Sequence, residues 1–136
     1  MNSSPKSDEA FLLAMADCSL APNSFNHRAH LRLAYLHLEK AGEVDLAAER
    51  VCKTIQHYAA HHGAPDKFHC TLTQACVKVV AHFKARAKDL TWEELLIKFP
   101  GLEQNMLELL HQHYSPARLS SPKAKEVFCE PDLLPF

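Results

Sequence analysis

"VDLAAERVCKTIQHYAAHH" runs from Val44 to His62, and its reading decides the fold. Val44, Ala47, Ala48, Val51, Ile55, Tyr58 and Ala59 recur at intervals of three and four, which puts them on one side of a helix. Gly63 then supplies a stop. The same period continues on both sides. Upstream, Asn26 is placed to cap a helix reaching Ala41 and ending at Gly42, with Leu31, Ala34, Tyr35 and Leu38 as its stripe. Downstream, Asp66 can cap a long helix to about Ala87, burying Phe68, Leu72, Ala75, Cys76, Val79, Val80 and Phe83.

Shorter elements flank this trio. Ser7-Asp8-Glu9 opens a helix predicted to reach about Cys18. Thr91 and Glu94 have the spacing of a capping box ahead of "LLIKF", which Pro100 and Gly101 terminate. "LEQNMLELLHQHY" reads as one further helix with Leu102, Met106, Leu109 and Leu110 inward, and Ser121-Pro122 as the start of a last one to about Phe128. The tail "CEPDLLPF" is too proline-rich for helix but apolar enough to pack back on the body. No strand pair, repeat or low-complexity linker appears. The expectation is an all-α, compact helical bundle: a single domain of about four main helices with short C-terminal ones.

Composition narrows the function classes. The 136 residues are 47% hydrophobic and 23% charged, with a net charge of −1 when the histidines are neutral. That is ordinary for a globular domain. It argues against a nucleic-acid binder, which needs a basic face, and against a polybasic membrane anchor. No apolar run approaches the roughly 18 residues of a membrane span. "MNSSPKSDEAFLLAMADC" has acids before a short apolar run, unlike a signal peptide. A cytoplasmic location is the expectation, with Cys18, Cys52, Cys70, Cys76 and Cys129 as reduced thiols, since their number is odd and no C-x-x-C pair occurs. A homodimer through a helix face would be unremarkable.

Ten histidines are many for this length. His37, His61, His62, His82, His111 and His113 fall in exposed-looking or helix-terminal contexts. His27 and His30 are different: three apart, they share the face on which the buried stripe reaches the helix start. His69 holds the same kind of position on the fourth helix, followed on its face by Thr73 and Cys76. Both helices begin after proline-containing loops, so the two starts can lie at one end of the bundle.

Three imidazoles converging there would suit a divalent metal such as zinc, with a fourth position open to water or substrate; iron, copper and nickel also accept imidazole. The ion would activate water or polarise a substrate oxygen. Two other readings stand beside this one: histidines that hold the bundle end together, and metal-free acid–base use of His69 with Thr73. Thr71 or Thr73 could orient an imidazole or substrate, although helical threonines often bond back to the preceding turn. Cys70 and Cys76 could be nucleophiles, but cysteine on an apolar helix face is usually a small core residue. Arg28 and Arg32 could take a carboxylate or form a solvated flank. Glu130 and Asp132 could fold over the site or form an exposed tail.

"FNHRAHLRLAYLHL", "HHGAPDKFHCTLT" and "HYSPARLSSPKAKEVFCEPDLLPF" together resemble a widespread group of small bacterial helical proteins. Its pattern is F-x-H-x-x-H-L-x-x-A, then G-x-x-x-[KL]-[YF]-H-x-T-[IL]-T, then [HY]-Y-S-P and a late [EP]-P-D-L. This chain matches at Phe25, His27, His30, Leu31 and Ala34, at Gly63, Phe68, His69, Thr71, Leu72 and Thr73, and at Tyr114, Ser115, Pro116, Pro131, Asp132 and Leu133. Cys70 departs from it, since an acid often follows the histidine there. The resemblance implies a helical fold and singles out His27, His30 and His69, but implies no reaction. The expected function is a small helical protein with a histidine-lined site, metal-dependent in the leading version, that binds or acts on a small polar molecule. The alternative is a non-catalytic binding or interaction protein with structural histidines.

Overall fold

A computed structural model describes residues 5–136; Met1–Ser4, the start of the stretch compared with a signal peptide, lie outside them. It is all-α, with no strand among the described residues. Three helices form the body and pack pairwise: α2 (His27–Ala41), α3 (Val44–His61) and α4 (Cys70–Ala85). Helix α1 (Asp8–Ala16) lies against α3. Short helices α5 (Trp92–Lys98), α6 (Gly101–Gln104) and α7 (Met106–Leu110) return to α2 and α4, and α8 (Pro116–Leu119) and α9 (Pro122–Glu126) add a layer on α4. No described helix is long and apolar enough to cross a membrane.

Most boundaries follow their caps. Asn26 accepts the Ala29 amide, and Gly42 ends α2 in the left-handed conformation at φ 69°. The Thr91–Glu94 capping box forms with both of its bonds. The α3 stripe is buried at Ala47, Ala48, Val51, Ile55, Tyr58 and Ala59. Helix α1 stops at Ala16, short of Cys18, because Cys18 sits at φ 64° and cannot continue a right-handed helix. "LEQNMLELLHQHY" breaks at Asn105 into α6 and α7. Ser115-Pro116, read only as a motif, opens α8 with the same serine cap and proline that open α9. Helix α9 ends at Glu126, since Val127 is extended.

The largest departure is the start of α4. Asp66 caps nothing: it lies in a single 3₁₀ turn, Pro65–Lys67. The cap is His69, whose Nδ1 accepts the Leu72 amide at 3.0 Å. Helix α4 is also buried on more than one side. Of the expected stripe Ala75, Val79 and Val80 are buried and Phe68, Leu72, Cys76 and Phe83 half-buried; Cys70 is buried beside Cys52 of α3, Val77 is buried, and Thr71 lies under the C-terminal layer. There Thr71 donates to the Val127 carbonyl at 2.8 Å and accepts the Cys129 amide at 2.9 Å.

Arg32 also departs from its reading as a solvated flank. It is 4% exposed, donates to Asp8 Oδ1 and to the carbonyls of Pro5 and Lys6, and lies over the rings of Phe11 and Trp92. Arg28 remains outside and pairs with Glu103 at 2.9 Å. Neither offers a free carboxylate clamp.

Candidate functional site

The starts of α2 and α4 meet at a cavity of about 500 Å³. Its wall comes from four parts of the chain: His27, His30, Leu31 and Ala34 on α2; Val51 and Ile55 on α3; Lys67 to His69, Leu72, Thr73, Cys76 and Val77 around the start of α4; and Glu103, Gln104, Met106, Leu107 and Leu110 from α6 and α7. His27, His30, His69 and Thr73, singled out in the sequence, all line it. The size and the largely apolar wall with a few polar groups are those of a small-molecule pocket.

Hydrogen bonds fix what each imidazole can do. His69 accepts the Leu72 amide on Nδ1, so its Nε2 carries the proton, which goes to the Leu119 carbonyl at 2.9 Å. Both nitrogens are occupied, and neither is left for a metal or a proton-transfer role. His27 donates from Nε2 to the Leu102 carbonyl at 3.1 Å, tying α2 to α6 and leaving Nδ1. His30 donates from Nδ1 to the Asn26 carbonyl at 2.9 Å. Its Nε2 has no hydrogen-bond partner among the described residues.

His30 is also held through its ring face. Phe25 stacks on it with centroids 3.9 Å apart and planes at 18°. Asn26 is the cap, so Phe25 immediately precedes it and His30 is four residues beyond it. These are the two positions of a hydrophobic staple, with an imidazole in the usual apolar place. Burial holds His30 below the ordinary histidine range; the Asn26 carbonyl pulls the other way and nearby His27 adds to the lowering. At neutral pH His30 is an uncharged ring whose one open nitrogen, Nε2, is an acceptor.

The three-imidazole site expected from the spacing is therefore not assembled in this geometry. Among the described residues no group of three His, Cys, Asp or Glu side chains could hold an ion, and His69 could join one only by releasing the α4 cap or Leu119. The thiols do not supply a nucleophile. All five are free. Burial pushes the Cys76 thiol up to about 12, and Cys70 lies 3.6 Å from Cys52, away from the wall. Thr73 is half-buried, and its hydroxyl has no hydrogen bond to another described residue.

The C-terminal motif residues stay away from the cavity. Asp132 accepts the Ser115 amide at 2.8 Å and its hydroxyl at 2.5 Å, bonds that hold its carboxyl below the usual range. The Glu130 carbonyl takes both Nε and Nη2 of Arg118, and Tyr114 donates to the Cys129 carbonyl at 2.6 Å. Neither acid folds over the site. Of the histidines read as exposed or helix-terminal, His37, His62, His111 and His113 are half-buried: His62, the α3 C-cap, donates to the Cys18 carbonyl, while His37 Nδ1 is buried with no partner among the described residues.

The sequence reading missed Lys67 and the α6–α7 wall, because short broken helices carry too few turns for periodicity to assign a face. It also missed the Phe25–His30 contact, which the staple rule would have found. Compared with protein-family models, curated proteins and solved structures, the chain has no significant match.

Proposed function

We propose that this chain binds a small molecule in the cavity between α2, α3, α4 and α6–α7, with His30 and Thr73 as its polar contacts. One observation carries this reading. Of the polar motif residues that line the cavity, His69 is fully occupied by the fold and His27 is half occupied, whereas His30 Nε2 and the Thr73 hydroxyl have no partner among the described residues. A bundle needing only structural histidines would be served by leucine at position 30, since the second staple position ordinarily takes an apolar side chain. The apolar wall favours a ligand with an apolar body and a polar head, a different class from the small polar molecule expected from the sequence. Binding with orientation by His30 is the reading. Turnover would need a second reacting group, for which Thr73 is the candidate.

The test is a fragment screen by amide and methyl NMR on untagged protein, with its metal content measured beside it. The expected result is a set of fragments that perturb Leu31, Val51, Leu72 and Met106 and bind Thr73→Phe much more weakly, since its ring occupies part of the cavity. Fragments that perturb only other surfaces would overturn the proposal. So would a stoichiometric divalent metal lost on His30→Ala, which would instead favour ligation by His27, His30 and a rearranged His69.

A further inference from the structure

We infer that the cavity selects a neutral ligand whose head group donates a hydrogen bond, such as a hydroxyl or ring N–H on an apolar body, with His30 Nε2 as the acceptor. This rests on the cavity being a binding site and adds what its ligand must be.

Three features of His30 lead there. Its Nδ1 proton is directed to the Asn26 carbonyl at 2.9 Å, so the neutral ring has no proton to offer from Nε2. The Phe25 stack restricts rotation of the ring out of that geometry. Nε2 is the ring nitrogen far from the backbone, on a side chain that lines the cavity. A ligand carbonyl, ether or carboxylate placed against it would bring two lone pairs together. A donor would complete the one open valence of the His30 ring, and a site built to bond a donor rejects the analogue lacking it.

The charged groups around the cavity do not reverse this. Lys67 and Glu103 both line it with opposite charges, and Glu103 is held by Arg28. Lys67 is exposed on a flexible stem. His27 and His69 direct protons to Leu102 and Leu119. Cys76 is a neutral thiol. An anionic head would need a proton on His30, which burial opposes. The apolar wall of Leu31, Ile55, Leu72, Met106 and Leu110 takes the body.

Matched probes test this at pH 7.5: 4-butylphenol, its methyl ether, and 4-butylbenzoate, each titrated by NMR against the full chain. The phenol is expected to bind at least tenfold tighter than the ether and the benzoate. In His30→Leu, which keeps the apolar bulk and removes the acceptor, the phenol and ether should come within about twofold of each other. The Nε2 nitrogen resonance should shift on adding phenol and not on adding ether. Equal wild-type binding of phenol and ether, tightest binding by the benzoate, or a phenol preference that survives His30→Leu would overturn the donor rule while leaving the cavity a binding site. Binding of none of the three, or binding that Thr73→Phe leaves intact, would instead remove the cavity reading and this inference with it.

Discussion

Helices α2 and α4 both start with histidine at the same cavity, yet the two starts use it differently. At α2 Asn26 caps, its side chain holding the Ala29 amide. At α4 no serine, threonine, aspartate or asparagine stands at the junction, and His69 takes the Leu72 amide itself. Where another residue caps, an imidazole three or four positions on keeps a nitrogen for other work. Where the imidazole caps, it becomes part of the scaffold. What separates a candidate ligand-binding histidine from a structural one here is thus the identity of its neighbour.

The largest expected effect is at the scaffold histidine. His69→Ala removes a cap, typically worth ~1 kcal/mol, and leaves the carbonyl of buried Leu119 unpaired, at ~1–3 kcal/mol. The sum of about 2–4 kcal/mol should lower Tm by roughly 6–16 °C, taking about 3–4 °C per kcal/mol at this size. His69→Asn should recover the cap portion only, since asparagine caps well but reaches less far. A surface-like cost within about 1 kcal/mol for His69→Ala would break the comparison and return His69 to the candidate ligands.

Next comes the C-terminal layer. Thr71 is fully buried and bonds both Val127 and Cys129. Thr71→Val keeps the shape and removes both bonds, at about 1–3 kcal/mol. Cys129, 5% exposed, should then react faster with a thiol reagent, while probe binding in the cavity holds. Loss of probe binding would mean that this layer also shapes the site.

Acid sharpens the contrast further. Burial lowers the folded-state pKa of both His30 and His37. Below the ordinary pKa of ~6.5 the unfolded chain takes up protons that the folded chain does not, so stability falls as pH drops. The loss begins near pH 6.5 and levels off below the folded pKa values, with a slope of at most ~1.4 kcal/mol per pH unit for each histidine. Denaturant melts between pH 7.5 and 5 should show it, and the His30→Leu, His37→Leu double variant should flatten the slope. An unchanged slope in that variant would place the proton uptake elsewhere.

Much of this was legible from sequence, for physical reasons that differ by element. The body is long and strongly periodic, so Val51, Ile55 and Leu38 declare their faces. Thr91–Glu94 and Asn26 follow capping chemistry that depends on side chains a few residues away. The meeting of His27, His30, His69 and Thr73 at one cavity followed from both helix starts standing at the head of buried stripes. What stayed hidden depends on contacts distant in sequence or on unusual substitutions. Nothing local announces that Arg32 reaches Pro5, Lys6 and Asp8, that Leu119 waits for His69, or that an imidazole occupies an asparagine's role. Asp66 was the better cap by residue type, but Pro65 and the 3₁₀ turn hold it off the α4 axis.

The smallest stability effect is expected where the largest binding effect should lie. In His30→Ala the α2 cap survives, because Asn26 still holds Ala29 with its own side chain. The carbonyl of exposed Asn26 can turn to water, so its lost bond costs little. The Phe25 stack is the main loss, at ~0.5–1.5 kcal/mol, and removing an uncharged half-buried ring that resists protonation returns part of it below pH 6.5. His30→Ala should therefore melt within about 1.5 kcal/mol of wild type while losing tenfold or more in affinity for 4-butylphenol. His69→Asn should melt clearly earlier and bind the phenol within about threefold of wild type. Melting curves and NMR titrations on the same two proteins decide the matter. If His30→Ala proves the less stable variant and keeps its affinity, the two helix starts do the same work, and the distinction between scaffold and site histidines fails.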